Sequence, residues 1–231
     1  MIRLLQGDCV ELLRGLPDNS VDLVLTDPPY GIDYQSARRT DRSAWKPKIL
    51  NDKKPFLAFI PELRRILKPT GCAMIFTRWD VQQAFIDEME SSGLRVRSVL
   101  IWDKQAHSMG DLKRAYGSRY ESILFHSGDG FAFPGKRPQD VVVCPRVSPN
   151  KLVHPNEKPV DLLKTLISQV TTGGGHCTRL LYGLWQYRRR RCQPRPEVHR
   201  HGTLRAILPS GAGPYHRGGR NLSERFLGGE A

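Results

Sequence analysis

Short runs of branched apolar residues alternate along the chain with segments of helical periodicity. Five apolar runs predict strands, at residues 3–8, 21–26, 72–77, 96–102 and 119–126. Apolar residues spaced three and four positions apart predict four helices, at residues 9–16, 56–67, 81–92 and 160–170. This order of elements predicts an α/β domain in which helices pack on a central sheet.

The strand predicted at residues 21–26 is followed directly by Asp27, Pro28, Pro29 and Tyr30. The strand is apolar on both faces, which is typical of a central strand, and the two prolines cannot continue its hydrogen-bonded ladder. The four residues therefore lie at the carboxyl end of a buried strand, where open α/β sheets bind ligands. A surface turn without a function is the alternative interpretation.

Residues 27–30 combine groups that suit alkylation of an exocyclic amino group on a nucleobase. Such a nitrogen is a poor nucleophile because its lone pair is delocalised into the ring, and acceptors for its two N–H bonds let it pyramidalise. The carboxylate of Asp27 can accept one hydrogen bond, and the carbonyl of Pro28, held by the two proline rings, can accept the other. Tyr30 offers a ring on which an extruded base stacks, a contact that contributes roughly 1–3 kcal/mol.

Three sequence features together resemble the motifs of the S-adenosylmethionine-dependent DNA amino-methyltransferases: Gly7-Asp8, the Asp-Pro-Pro-Tyr sequence, and His-Pro-Asn-Glu-Lys-Pro at residues 154–159. Their order is similar to the permuted class, in which the catalytic motif precedes the cofactor motif. The resemblance covers residues 1–172. It implies a Rossmann-like methyltransferase sheet with helices on both faces, and S-adenosylmethionine as the cofactor. It also implies double-stranded DNA as the substrate, and we expect a homodimer and a restriction–modification partner.

The same resemblance assigns residues to the cofactor. Asp8 is expected near the adenosine, and Asn156, Lys158 and Pro159 are expected near the methionine end. Asp8 has a second, compatible interpretation as the cap of the helix that follows it.

Basic residues in two irregular segments are candidates for DNA contact. The polar loop at residues 31–54 predicts a flap that closes over substrate, and the resemblance implies a target-recognition segment at about 105–152. Lysine and arginine side chains there would contact phosphates, which fixes register without specifying sequence; an ordinary solvated surface is the alternative. The candidates are Arg38, Arg39, Lys113, Arg114, Arg119, Lys136 and Arg137.

Length and composition narrow the class of protein. The 231 residues suit one domain, and five cysteines without a CxxC pair suit a reducing compartment. Neither a signal peptide nor a membrane span is recognisable, so we expect a cytoplasmic protein. The formal net charge is +13, but residues 173–231 carry +8 of it, so this charge is weak support for DNA binding by the folded part.

The resemblance stops at the glycine run that begins at Gly173. The family continues with a strand that ends in an acid and with a Phe-x-Gly-x-Gly turn, whereas this tail contains eleven arginines, no lysine and no aspartate. Permitted codons read one base later restore the strand, the acid and the glycine turn, so we hypothesise a frameshift near Gly173. A zinc site is the competing interpretation of the tail, but the spacing of Cys177, Cys192, His199 and His201 fits no common site, and no metal is expected.

The sequence therefore predicts two parts: a catalytic domain at residues 1–172 and a largely disordered basic tail at residues 173–231. We expect the sheet to be incomplete at the C-terminus, without the strands that the family places between the strand near Asp8 and the strand that ends at Thr26. Cofactor binding is then expected to be weak or absent. The inherited function is methyl transfer to N6 of adenine in DNA; N4-cytosine methylation and a catalytically dead DNA-binding relative are the alternatives.

Overall fold

The computed structural model of the chain describes residues 2–31, 54–107, 113–148, 157–171, 177–182 and 204–209. The strands in these ranges are β1 (Ile2–Gly7), β2 (Val21–Asp27), β3 (Leu67–Thr77), β4 (Val96–Asp103), β5 (Tyr120–Ser127), β6 (Val141–Val143), β7 (Cys177–Tyr182) and β8 (Leu204–Pro209). The helices are α1 (Cys9–Arg14), α2 (Ile60–Ile66), α3 (Gln82–Ser91) and α4 (Val160–Val170). Within the described ranges, every helix is too short or too polar to cross a bilayer.

These strands form one mixed sheet in the order β1-β8-β7-β2-β3-β5-β4-β6. Strand β2 is parallel to its neighbours β7 and β3, and β5 is antiparallel to both β3 and β4. The carboxyl ends of β2, β3 and β4 therefore meet the amino end of β5 at one edge of the sheet. This edge is called the catalytic edge below, because Asp27 ends β2 there.

Apolar side chains form one core on each face of the sheet. Helices α1, α2 and α3 contribute buried residues to the first core, together with Val24 of β2. Helix α4 contributes to the second core, together with Leu23 and Leu25. Neighbouring residues of β2 thus serve opposite faces, because side chains alternate along a strand. The α/β fold class with helices on both faces is confirmed.

Some boundaries differ from those predicted. Helix α2 begins at Ile60 and not at residue 56, because Pro61 lacks an amide hydrogen and is tolerated only in the first turn. Strand β3 begins at Leu67, directly after α2. The residues that were predicted to end the helix form an irregularity at the start of this strand, because Val21 of β2 pairs with Leu67 whereas Leu23 pairs with Cys72. The three-residue strand β6 was missed, since so short a segment has no readable period.

The structure of the tail differs from the prediction in two places. Strand β7 pairs in parallel with β2, and β8 pairs antiparallel with both β7 and β1. They lie between β1 and β2, the position in which the sheet was expected to lack its strands. The remaining tail residues, including the candidate zinc ligands Cys192, His199 and His201, lie outside the described residues.

Candidate active site

The four predicted catalytic residues lie at the catalytic edge, where the interior strand β2 ends. Asp27 ends β2, and the buried Pro28 and Pro29 lead the chain out of the sheet to Tyr30. Tyr30 forms an isolated bridge with Pro55, and the amide of Phe56 donates a hydrogen bond of 3.0 Å to the carbonyl of Pro29. Pro55 and Phe56, in the segment that leads into α2, therefore contact residues 29–30 and hold the catalytic turn in place.

A glycine is required directly after this turn. Gly31 has φ +81°, a conformation that other residues rarely adopt. A Cβ atom there would also come within 2.6 Å of the carbonyl carbon of Lys54. The flap predicted at residues 31–54 starts and ends at this close approach, and its interior lies outside the described residues.

Both carboxylate oxygens of Asp27 have a partner. The phenol of Tyr30 donates a hydrogen bond of 2.5 Å to Oδ1, and Nζ of Lys158 lies 3.0 Å from Oδ2. The side chain of Asp27 is 14% exposed, so it still reaches the surface at the catalytic edge.

Lys158, which precedes α4, forms a buried ion cluster. Its ammonium lies 2.9 Å from Oε2 of Glu121 in addition to its contact with Asp27, and its side chain is 7% exposed. The other oxygen of Glu121 lies 3.4 Å from Nζ of Lys104. A buried cation between two carboxylates requires this kind of pairing, since an unpaired buried charge is costly.

Three aromatic rings surround the ammonium of Lys158. The nitrogen lies 5.0 Å from the ring centre of Phe76 and 5.9 Å from those of Tyr30 and Trp102. These distances fall in the range of cation–π attraction. Trp102 is 2% exposed and its indole nitrogen donates to the carbonyl of Cys144 at 2.7 Å, so this ring belongs to the core.

The cluster shifts the pKa of Tyr30, Lys158 and Glu121. Burial and the charges of Asp27 and Glu121 raise the pKa of Tyr30 well above its ordinary value, so it stays a hydrogen-bond donor. Burial by itself lowers the pKa of Lys158, but Asp27 and Glu121 outweigh this effect and raise it. Burial likewise raises the pKa of Glu121, but Lys158 and Lys104 outweigh it and hold the pKa below its ordinary value.

The residues predicted to bind the cofactor lie in different surroundings. Asp8 caps α1, and its Oδ1 accepts hydrogen bonds from the amides of Val10 at 2.9 Å and Glu11 at 3.2 Å, as the capping interpretation predicts. Pro159 is buried at the start of α4, and Asn156 lies outside the described residues. Lys158 is part of the ion cluster at Asp27.

Two of the predicted DNA-contacting residues, Arg119 and Arg137, lie at opposite edges of the sheet. Arg119 lies at the catalytic edge, where it donates two hydrogen bonds of 2.7 Å to Asp103. Arg137 lies toward the opposite edge, where it lines a cavity with Arg97 and Ser127. Lys113, Arg114 and Lys136 are exposed, and Arg38 and Arg39 lie outside the described residues.

Sequence reasoning missed Glu121 and Phe76 as parts of this site. A signal for Glu121 was available, because a carboxylate inside an otherwise apolar strand needs a partner. Its partner could not be named, since Lys158 is distant in the chain. Within the described residues there is no cluster of histidine, cysteine or carboxylate side chains suited to a metal ion.

Comparison with known proteins identifies the family. Residues 21–177, more than half of the chain, match the sequence profile of a family described as DNA methylase, of the N6/N4 type. The chain belongs to this family. The matched range includes both the catalytic turn and α4, the two segments that meet at the Asp27–Lys158 pair.

Individual relatives agree with this assignment. The chain is 33% identical over 172 residues to YubD of Escherichia coli strain K12, which is named as a putative methylase. The aligned region covers 74% of this chain and 71% of YubD. It is 31% identical over 121 residues to the DNA adenine methyltransferase YhdJ of the same strain, covering 52% of this chain and 39% of YhdJ.

The fold is also that of a solved methyltransferase. The structure of the PvuII DNA methyltransferase, named as cytosine-N4-specific, superposes with a TM-score of 0.56 at 14% identity, covering 74% of this chain and 71% of that one. At this identity the similarity concerns the fold alone. S-adenosylmethionine is the cofactor of the family.

Proposed function

We propose that the inherited function of this chain is methylation of N6 of adenine in DNA. The observation that carries the proposal is the position of Asp27, a largely buried carboxylate that ends a central strand beside the ring of Tyr30. A base that has left the duplex would donate its amino hydrogens to Asp27 and to the carbonyl of Pro28, while its ring stacks on Tyr30.

The protonation of the site suits this role. Since the pKa of Tyr30 is raised, its phenol donates to Oδ1 of Asp27 and keeps that oxygen in a fixed orientation. A carboxylate oxygen accepts more than one hydrogen bond, so Asp27 retains capacity for the amine of a base. Catalysis would then come from orientation of the amine and from the negative charge beside it.

Adenine is favoured over cytosine by the first position of the catalytic motif. Aspartate stands there, as is more common in the adenine enzymes that the sequence resembles, and YhdJ is named as an adenine methyltransferase. N4-cytosine methylation is the alternative, because the matched family is of the N6/N4 type and includes both reactions. Both reactions need the same acceptors at the amine, so the product and not the geometry of Asp27 separates them.

The described residues do not supply a complete cofactor site. The ammonium of Lys158 is engaged by Asp27 and Glu121, and Oδ1 of Asp8 is engaged by the first turn of α1. In the sequence, no Phe-x-Gly-x-Gly turn follows α4. We therefore propose that the reading frame changes near Gly173 and removes the cofactor turn. Nucleotide sequencing of the codons around that position tests this, and an uninterrupted frame with no shifted homologous reading would refute it.

The function is tested by expressing two proteins in a host that lacks DNA methylation: this chain and a version with the frame restored after Gly173. Digestion of the DNA to nucleosides and mass spectrometry then measure N6-methyladenine and N4-methylcytosine separately. We expect N6-methyladenine with the restored version and little or none with this chain. Calorimetry is expected to detect S-adenosylmethionine binding only in the restored version.

Variants of the restored version test Asp27 directly. Asp27→Ala should abolish methylation and leave DNA affinity nearly unchanged, because phosphate contacts dominate affinity. Asp161→Ala is the matched control, since Asp161 is an exposed carboxylate on α4 whose side chain is 84% accessible. Methylation that persists in Asp27→Ala would refute the proposed role of Asp27. N4-methylcytosine as the product would favour the cytosine alternative. DNA binding without any methylation would indicate a binding protein.

A further inference from the structure

Lys158 holds the two carboxylates of the cluster at nearly equal distances. Its ammonium lies 3.0 Å from Asp27 and 2.9 Å from Glu121. If Asp27 were its only partner, the two charges would cancel at the place where a base amine has to bind. With Glu121 present, Asp27, Glu121 and Lys158 together carry one net negative charge, and the further cation Lys104 lies against the other oxygen of Glu121.

Glu121 is itself held firmly in this position. It lies opposite Trp102 in the register of β4 and β5, and Lys104 approaches its second oxygen to 3.4 Å. The side chain is 18% exposed, so a change of its charge is felt strongly by its neighbours. Lys104 compensates the burial of Glu121 from the side away from Lys158.

The surroundings of Lys158 let it release Asp27 without becoming an unpaired buried cation. Glu121 and the rings of Phe76, Trp102 and Tyr30 would still hold the ammonium if the amine of a base took its place at Oδ2. Removing the only partner of a buried charge is strongly unfavourable, whereas removing one of several partners costs less. An exchange at Asp27 therefore depends on the second carboxylate.

We propose that Glu121 is a positioning residue that takes the ammonium of Lys158 and so leaves Asp27 available to accept a hydrogen bond from the base amine. The inference rests on the proposed function, because it needs Asp27 to bind an amine. It assigns a role to a residue that lies outside the Asp-Pro-Pro-Tyr motif and in a different strand. Glu121 does not touch the base and acts only through Lys158.

The test compares two dye-labelled single-stranded oligonucleotides: one with adenine at every position and one with purine, which lacks the 6-amino group. Single strands avoid the cost of extruding a base, and equal phosphate numbers cancel the electrostatic term in the affinity ratio. Fluorescence anisotropy with this full chain needs no cofactor. A hydrogen bond to a charged acceptor predicts that the chain prefers adenine by roughly tenfold.

Glu121→Gln removes the charge and keeps the shape, and it is expected to reduce this preference to about twofold or less because Lys158 then binds Asp27 alone. Glu62→Gln is the matched control, since Glu62 is a carboxylate of 21% exposure on α2 that pairs with Arg65 and not with Lys158. The control should keep the preference of the unchanged chain.

A double variant separates positioning from a structural role. Adding Lys158→Met to Glu121→Gln removes the cation that captures Asp27, so the preference for adenine should return. A purely structural role predicts no recovery, and the double variant also tests the proposal if Glu121→Gln fails to fold. A preference that persists in Glu121→Gln would overturn the role of Glu121 and leave the proposed function standing. If the unchanged chain shows no preference, both the inference and the binding of the amine by Asp27 are refuted.

Discussion

The guanidinium of Arg65 donates a hydrogen bond of 2.7 Å to the main-chain carbonyl of Leu16, which lies 49 residues earlier in the chain. It also donates to the carbonyl of Leu13 at 2.8 Å and forms an ion pair of 2.7 Å with Asp18. One side chain of α2 thus donates hydrogen bonds to carbonyls at and just after the carboxyl end of α1 and also binds the turn that leads into β2. Arg65 therefore helps to fix the start of β2, the strand that ends at Asp27.

Replacement of Arg65 by methionine should lower the free energy of unfolding by about 2–3 kcal/mol, because two partly buried carbonyls lose a charged donor and Asp18 loses its ion pair. Urea denaturation measures the change. Arg64→Met is the control, since Arg64 lies on the exposed side of the same helix and its loss should change stability by about 0.5 kcal/mol or less. Equal losses in the two variants would contradict a special role of Arg65.

Removal of the buried cation should have a larger and pH-dependent effect. Lys158→Met leaves Asp27 and Glu121 without their shared partner, and we expect it to lower the free energy of unfolding by roughly 3–5 kcal/mol at pH 7. Pairing holds the pKa of Glu121 below its ordinary value. The stabilisation by Glu121 is therefore fully present above the ordinary pKa of a glutamate and is lost as the pH falls through the lowered pKa.

The difference between the unchanged chain and Lys158→Met should therefore be largest at pH 7 and shrink toward pH 4, because protonation of Glu121 relieves its unpaired charge in the variant. Urea denaturation at several pH values measures it. Lys164→Met, which removes an exposed lysine paired with Asp161, should show a small and nearly pH-independent change. Equal urea midpoints for Lys158→Met and the unchanged chain at pH 7 would argue against the cluster.

Gly128 follows β5 at a close approach of two main-chain segments. Its amide donates to the carbonyl of Gly71 at 2.9 Å, and a Cβ atom would overlap the carbonyl oxygen of Pro69 and lie 2.9 Å from its carbonyl carbon. Because main chain cannot rotate aside, Gly128→Ala should lower the free energy of unfolding by about 2 kcal/mol or more. Gly135→Ala, whose Cβ would meet nothing within 4 Å, should change it little. A thermal melt that ranks the two variants the other way would refute this packing.

The cysteines should differ in reactivity. Burial, together with the charge of Asp8, raises the pKa of the Cys9 thiol to about 12, and the side chain is 1% exposed. Cys144 is only partly buried. Iodoacetamide at pH 8 should therefore alkylate Cys144 before Cys9, and the order should disappear in urea. Peptide mass spectrometry gives both rates; rapid alkylation of Cys9 in the folded chain would contradict its burial.

Much of the catalytic domain could be predicted from local sequence. The apolar run of β2 and the two prolines after it were enough to place Asp27 at the end of a central strand. The apolar spacing of α4 gave its bounds, and Asp8 acts as the predicted cap. Each of these features depends on residues close together in the chain, where side-chain period and proline geometry decide the outcome.

The environment of Asp27 was decided by contacts between distant parts of the chain. The sequence assigned Lys158 to the cofactor, whereas the tertiary structure places its ammonium between Asp27 and Glu121. That arrangement requires β3 and β5 to lie side by side and α4 to begin at the catalytic edge, and neither follows from the period of any one segment. The sequence by itself determined which residue types end the central strand. Only the order of the strands decided which charges meet there, because that order depends on packing between elements far apart in the chain.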